Sequence, residues 1–264
     1  MGGRLEGKVA LVMGAGSSGP GLGNGKATAI LFAKEGAKIF AMDRDADAVN
    51  ATRDIILRAG GDCAVATADI SQSDQVAIVV DECVKTYGRI DILHNNVGIV
   101  APGSVTRVTE ANWDKLFAVN TTGMMLSCRH TIPHMVEQGG GVIVNVSTIA
   151  SIRHLGFSYA AYDTSKAAVN ALTRTIAVDF GPKGIRANTI LIGMMDTPLA
   201  RGGIQAAGRA VDEIYANYTR SIPLQRMGTA QDSAELALFL ASDEASYITA
   251  AEIPVDGGLT ARCL

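Results

Sequence analysis

Tyr162 and Lys166 stand four residues apart at the head of the run AAVNALTRTIAVDF, whose apolar members Val169, Leu172 and Ile176 recur at helical spacing. Residues four apart on a helix share a face, so a phenol and an ammonium lie side by side. A free tyrosine titrates near pH ~10, too high for base work at neutral pH. A neighbouring ammonium favours the phenolate and lowers that value. The pair is a candidate acid/base that moves a proton on or off a hydroxyl. The same spacing also describes a helix with one buried tyrosine and one solvated lysine, so the rest of the chain has to decide.

The elements that must position the pair alternate from end to end. Apolar runs at 8–13, 38–42, 63–68, 90–94, 141–146, 185–192 and 252–255 read as seven strands. Helical patterns lie between them at 26–34, 45–59, about 109–137 and from Tyr162 onward. Ser71-Gln-Ser-Asp74 reads as a capping box opening a helix to about Tyr87, and Thr229-Ala-Gln-Asp232 caps another through about Leu240. Repeated β-α units with nearly continuous apolar strands predict an α/β fold. It is a single-domain, Rossmann-like, doubly wound parallel seven-stranded sheet with helices on both faces, spanning 1–264. Residues 194–226 hold Gly202-Gly203, Gly208 and several charges and read as one long irregular substrate loop or lid.

Composition narrows the class. Apolar residues make up 48% and charged residues 19% of 264, ordinary for a domain with a large core. The net charge of −3 gives no basic field for nucleic acid. No apolar run is long enough to span a bilayer, and MGGRLEGK leads into a strand without a signal-peptide pattern. Cys63, Cys83, Cys128 and Cys263 are scattered with no C-x-x-C pair, which argues against a zinc site or a disulfide framework. A reduced, cytoplasmic protein is expected. His130 and His134 lack the H-E-x-x-H pattern and flank Pro133, so no metal site is expected. Asp179 and Arg186 read as surface or interface charges.

The first β-α turn, Met13–Ala27, reads MGAGSSGPGLGNGKA and carries six glycines between a strand and a helix. Glycines let the backbone approach a pyrophosphate, and a helix N-terminus offers free N–H groups and positive potential. The turn has no G-K-[S/T] ending, so a P-loop for ATP is not expected. Asp43 ends the second strand, where a carboxylate accepts hydrogen bonds from the adenosine ribose and repels a 2′-phosphate. NAD is favoured on that ground. Arg44 beside it keeps NADP open, since a guanidinium holds phosphate.

The chain resembles the short-chain dehydrogenase/reductase family over nearly its whole length. The matching pieces run in the family's order: the Gly-rich turn, Asp43, Ala68-Asp69-Ile70, Asn95-Asn96-Val97-Gly98, Asn120 in VNTTG, NVST at 145–148, YDTSK, GMMDTPL from Gly193 and PVDGG from Pro254. The resemblance implies Tyr162 as general acid/base and Lys166 as the group that binds the nicotinamide ribose and lowers the tyrosine pKa. It implies Asn120 as holder of a water in a proton relay, and Asp69 and Ile70 at the adenine. Asn96, Val97 and Gly98 would line the cofactor path, with Gly193 and Thr197 at the carboxamide end. In the turn, Gly14, Gly23 and Gly25 align with the motif glycines, and Ser17, Ser18 and Asn24 complete the cofactor set. The substrate hydroxyl falls on Thr148 or on Ser147 just before it. Neighbours in a strand point to opposite sides, so one of the two faces the site.

Four departures stand out. The turn is about five residues longer than the common family form. Met13 replaces a threonine, Ile192 replaces a proline before Gly193, and threonine takes the serine position at 148. The expected activity is NAD(H)-dependent interconversion of a secondary alcohol and a ketone, on a neutral, fairly apolar substrate. His154, Phe157 and Tyr159 are candidates for the pocket wall. Alternatives are an NADPH-dependent 3-oxoacyl-thioester reductase and a catalytically silent nucleotide-sensing protein. The family also implies a homo-oligomer, a tetramer packed through the helices at about 109–137 and 162–180, with Arg262-Cys263-Leu264 reaching a neighbour.

Overall fold

The computed structural model describes residues 3–206 and 208–262, so Cys263 and Leu264 of the expected tail contact lie outside the described residues. In chain order the first half holds β1 (Val9–Met13), α1 (Asn24–Lys34), β2 (Lys38–Asp43), α2 (Ala46–Arg58), β3 (Cys63–Thr67), α3 (Ser73–Tyr87) and β4 (Ile92–Asn95). The second half holds α4 (Glu110–Phe117), α5 (Gly123–Glu137), β5 (Gly141–Thr148), α6 (Ala160–Phe180), β6 (Ile185–Ile192), β7 (Met195–Asp196), α7 (Pro198–Ala206), α8 (Val211–Ser221), β8 (Gly228–Thr229), α9 (Ala230–Ala241) and β9 (Glu252–Val255).

The long apolar runs pair in parallel into one seven-stranded sheet of order β3-β2-β1-β4-β5-β6-β9. Strands this apolar must be covered on both faces. One face carries α1, α2 and α9 around Phe32, Ile39, Val144 and Leu238. The other carries α3, α5 and α6 around Leu11, Phe40, Val79 and Ile143. Burying each such side chain stabilises by about 1.5–3 kcal/mol, so the sheet is a firm platform for its carboxyl edge. The strand order reverses between β1 and β4, which opens a crevice at that edge.

Four expectations are corrected. Residues 194–226 are not irregular: they form α7 and α8, with β7 pairing β8. Paired glycines hid the first helix, although Pro198 at its first position is a helix-start signal. The box at 71–74 does not form, because the Ser71 hydroxyl and N–H both turn back to Asp69 Oδ1 and Gln72 caps α3 without its side chain. The Thr229–Asp232 box does form. The helical stretch 109–137 is broken by a π-turn at Ala118–Thr122. Arg186 is no surface charge: its guanidinium donates to the carbonyls of Leu240, Ser242 and Ile248 and ties β6 to the end of α9.

Candidate active site

At the switch point, Gly14 leaves β1 with φ +84, and a Cβ there would meet Val97 Cγ2 at 2.9 Å. Only glycine fits that approach. The Gly14 carbonyl accepts from Asn96 Nδ2 at 3.0 Å, which locks the turn to the end of β4. Gly16 N–H donates to Asp43 Oδ2 at 2.9 Å, and a Cβ on Gly16 would stand 2.7 Å from that oxygen. Gly16 lines the cleft as well, a site residue that the sequence reading does not name. Helix α1 follows Gly23 as its N-cap, with no side-chain cap and no acid in its first turn, so its positive end is uncompensated.

One cleft of about 740 Å³ runs from this turn across the sheet edge to Tyr162 and on to α7 and α8. It is lined by Gly14, Ser17, Ser18, Gly23, Asn24, Asp43 and Arg44, then by Asp69, Ile70, Asn96, Val97 and Gly98. Its far part is lined by Ser147, Thr148, Tyr162, Lys166, Gly193 and Thr197. Gly25 does not line it. A Cβ there would lie 2.0 Å from the Gly14 carbonyl oxygen, so Gly25 lets α1 pack behind the turn. A hydrogen-bonded Ser71 holds the Asp69 carboxyl below the usual carboxylate range. Arg44 is exposed and has no side-chain hydrogen bond or ion pair among the described residues.

Around the tyrosine, the two hydroxyls at the end of β5 part company. Ser147 Oγ is buried and donates to the Lys166 carbonyl at 3.1 Å, against the backbone of α6. The Thr148 hydroxyl instead lines the cleft with Tyr162; it accepts Ala150 N–H at 3.2 Å and donates to the Ile192 carbonyl at 3.3 Å. Lys166 is buried, and its Nζ donates to the Val146 carbonyl at 2.9 Å. A Cβ on Gly98 would meet that nitrogen at 3.1 Å.

The expected lowering of the tyrosine pKa is not found in the chain by itself. Burial pushes the Tyr162 phenol up to about 12, and the carboxylate of Asp163 adds to this, while the Thr148 hydroxyl opposes it. Desolvation brings Lys166 down to about 7. The ammonium is turned to Val146 and is itself desolvated, so it does not offset the burial of the phenol.

The side chain of Asn120 is held by protein groups. It sits buried on the π-turn and does not line the cleft. Its Oδ1 accepts Ile99 N–H at 2.8 Å, while Nδ2 donates to the Ile99 carbonyl at 2.9 Å and to Ser165 Oγ at 3.0 Å. Both amide hydrogens are engaged by protein, so the side chain braces the loop after β4 against α6.

The substrate end is aromatic. Phe157 and Tyr159 pack edge to face at 5.3 Å, and Tyr159 lies 6.4 Å from the Tyr162 ring. Tyr218 of α8 closes on Phe157 at 6.2 Å. Leu155 and Ile149 complete the wall, and Arg209 and Asp163 bring charge that the sequence reading had not placed there. Burial pushes the Asp163 carboxyl up to about 6. His154 is exposed and is not part of the wall; its Nδ1 accepts Gly156 N–H instead. The described cysteines are free and buried, and no group of metal-ligating side chains occurs among the described residues.

A glycine cradle under an uncapped helix, a carboxylate at the second strand and a Tyr–Lys pair on one cleft define a dinucleotide-dependent oxidoreductase of the doubly wound class. Comparison with known proteins gives the family. A family profile described as enoyl-(acyl carrier protein) reductase matches residues 21–260. The chain is 36% identical to the 3-oxoacyl-(acyl-carrier-protein) reductase of Thermotoga maritima, covering 97% of this chain and 99% of that one. It is 34% identical to the 2,5-dichloro-2,5-cyclohexadiene-1,4-diol dehydrogenase of Sphingobium indicum, covering 98% of each. A short-chain type dehydrogenase/reductase from Mycobacterium marinum superposes with a TM-score of 0.87 at 32% identity, covering 98% of this chain and 97% of that one. The chain belongs to the short-chain dehydrogenase/reductase family.

Proposed function

We propose that the chain is an NAD(H)-dependent oxidoreductase interconverting a secondary alcohol and a ketone, with Tyr162 exchanging the substrate proton. The observation that carries this reading is the meeting of Tyr162, Lys166 and Thr148 on one cleft that is continuous with the Gly-rich turn. When bound, the nicotinamide accepts or supplies the hydride. Gly14, Ser17, Ser18, Gly23 and Asn24 would hold its phosphates, Asp43 the ribose, Asp69 and Ile70 the adenine, and Lys166, Gly193 and Thr197 the nicotinamide end. In reduction, Thr148 donates a hydrogen bond to the carbonyl oxygen and Tyr162 gives up its proton to that oxygen. Oxidation reverses the transfer. Ser147 serves α6 rather than the substrate.

The aromatic wall suits a cyclic or aryl alcohol, and the Sphingobium relative is named for a cyclic diol. Helices α7 and α8 act as the lid over it. Asp43 favours NAD, since a carboxylate at the end of the second strand accepts hydrogen bonds from the adenosine ribose and repels a 2′-phosphate. The exposed, unpartnered Arg44 favours a second reading, an NADPH-dependent 3-oxoacyl-thioester reductase like the Thermotoga relative's name. No helix among the described residues is long and apolar enough to cross a membrane, and a reduced cytoplasmic setting suits the free cysteines. A homotetramer joined through α4, α5 and α6 would cover the exposed Val178 and the half-exposed Trp113; elution as a monomer would contradict it.

Initial rates with NAD⁺ and NADP⁺ in parallel, on aliphatic, cyclic, aryl and hydroxyacyl substrates, test the reading. Fast NAD⁺-linked oxidation of a cyclic or aryl alcohol is the expected result. An NADP⁺ preference that is lost in Arg44→Ala, with activity on hydroxyacyl thioesters, would establish the second reading instead.

A further inference from the structure

The lengthened part of the Gly-rich turn does not lie over the main cleft. Ser17 and Ser18 line that cleft on the way out, and Gly23 and Asn24 line it on the way back. Between them the chain arches toward α7. Ser17 Oγ donates to the Gly19 carbonyl at 3.0 Å and starts the arch, and Gly21 bends it at φ +110, where glycine is at home. A Cβ built on Gly19 would lie 3.5 Å from Pro198 Cβ, and one on Gly21 would lie 3.6 Å from Pro198 Cγ. A methyl added at either glycine would just touch the proline ring, so the arch faces Pro198 with room for about one methyl group between them.

Helix α7 begins at that point. Pro198 is its first residue and Thr197, which lines the main cleft, immediately precedes it. A second cavity of about 300 Å³ lies under the junction. Its walls are Pro20, Gly21 and Leu22 from the turn, Asp196 to Pro198 and Arg201 from the start of the lid, and Thr229 to Gln231 below. Leu22 in its wall is 44% exposed, and Leu199, which lines the main cleft next to Pro198, is 50% exposed. A joint with room beneath it and apolar surface still in water is one that gains burial by closing further.

We propose that Gly19–Leu22 is a positioning element that couples the phosphate-binding turn to the substrate helix α7, an inference that rests on the cofactor reading above. Both ends of the arch belong to the cradle, so a pyrophosphate that orders Ser17, Ser18 and Gly23 also narrows the conformations of the arch. The arch then fixes Pro198, and with it Thr197 and the first turn of the lid. Ordering at one site lowers the entropy that must be lost at the other, which is positive coupling between cofactor and substrate. A turn running straight from Ser18 to Gly23 would have no atom in the wall against Pro198.

Hydrogen exchange of the 198–206 segment, read with and without saturating NADH, tests this. In the unaltered chain NADH is expected to slow exchange there by about tenfold or more. In a deletion of Gly19–Leu22, and separately in Pro198→Ala, NADH is expected to bind with a dissociation constant within roughly threefold of the parent while the slowing falls below about twofold. Pro198→Ala keeps a residue that starts a helix and removes the ring, so it carries the test if the deletion does not fold. Full NADH-dependent slowing in a folded variant would overturn the coupling, as would NADH binding to the unaltered chain without slowing. Failure of NADH to bind the unaltered chain would overturn the cofactor reading, and the coupling with it.

Discussion

His94 and Lys166 lie on opposite sides of the same sheet, and burial acts on both in the same direction. His94 is on β4, packed edge-on against Phe32 of α1, and desolvation takes it down to about 3. Lys166 is on α6, and desolvation takes it down to about 7. The difference is in what surrounds them. Both ring nitrogens of His94 are enclosed with no partner among the described residues. Lys166 Nζ donates to Val146, touches the space over Gly98 and lines a cleft that also holds Tyr162 and Thr148. A shifted pKa therefore does not by itself mark a working group. Access, and a second group within reach of the same substrate atom, separate chemistry from packing.

Substitutions sharpen that contrast, the largest effect first. Tyr162→Phe keeps the ring and removes the proton, so kcat/KM is expected to fall about 10³–10⁴-fold, with NADH affinity nearly unchanged by fluorescence titration. Lys166→Met is expected to lose about 10²-fold in kcat/KM and yet unfold at a higher temperature. The sign follows from linkage. The unfolded lysine titrates near 10.5 and the folded one near 7, so the unfolded state binds the extra proton between those values. Stability therefore rises with pH across that window, and at pH 7 the lysine is a burden that methionine removes, by about 1–2 kcal/mol. Equal or lower stability of the variant would break the comparison.

At β5 the expected effects diverge between neighbours. Thr148→Val deletes the hydroxyl that shares the cleft with Tyr162 and should lower kcat/KM by about 10²-fold. Ser147→Ala removes one bond to the α6 backbone and should lower stability by about 1 kcal/mol with little kinetic change. The smallest effect belongs to the other side of the sheet. His94→Leu removes two unpartnered nitrogens and is expected to gain about 1 kcal/mol, read as a higher melting temperature, with kcat/KM unaltered. The gain should grow as pH falls below about 6.5. There the unfolded histidine takes up a proton that the folded one refuses until about pH 3.

Much of this was legible before any coordinates. The strands at 185–192 and 252–255 fall where their apolar runs end, because nothing but a parallel sheet buries such runs. The turn, Asp43, Tyr162 and Lys166 meet on one cleft because the sheet order brings the carboxyl ends of β1, β4 and β5 together. What was hidden depends on contacts between distant segments. Whether Ser147 or Thr148 turns to the tyrosine is decided by the packing of α6 on β5. Asn120 is engaged by Ile99, which no periodicity reveals. The helices at 198–206 and 211–221 were masked by Gly202-Gly203 and a weak apolar pattern. The rise of the Tyr162 pKa reflects enclosure by the folded chain, a quantity that spacing along a sequence does not contain.

The pH dependence of kcat/KM for alcohol oxidation at saturating NAD⁺ tests the central claim most directly. Oxidation needs the phenolate, and in the chain itself burial pushes the Tyr162 phenol up to about 12. The rate is therefore expected to climb about tenfold per pH unit on the acid side before levelling, while ketone reduction, which starts from the phenol, stays flat there. A flat oxidation profile in the unaltered chain, or the same climb retained in Tyr162→Phe, would contradict the assignment of the proton to Tyr162.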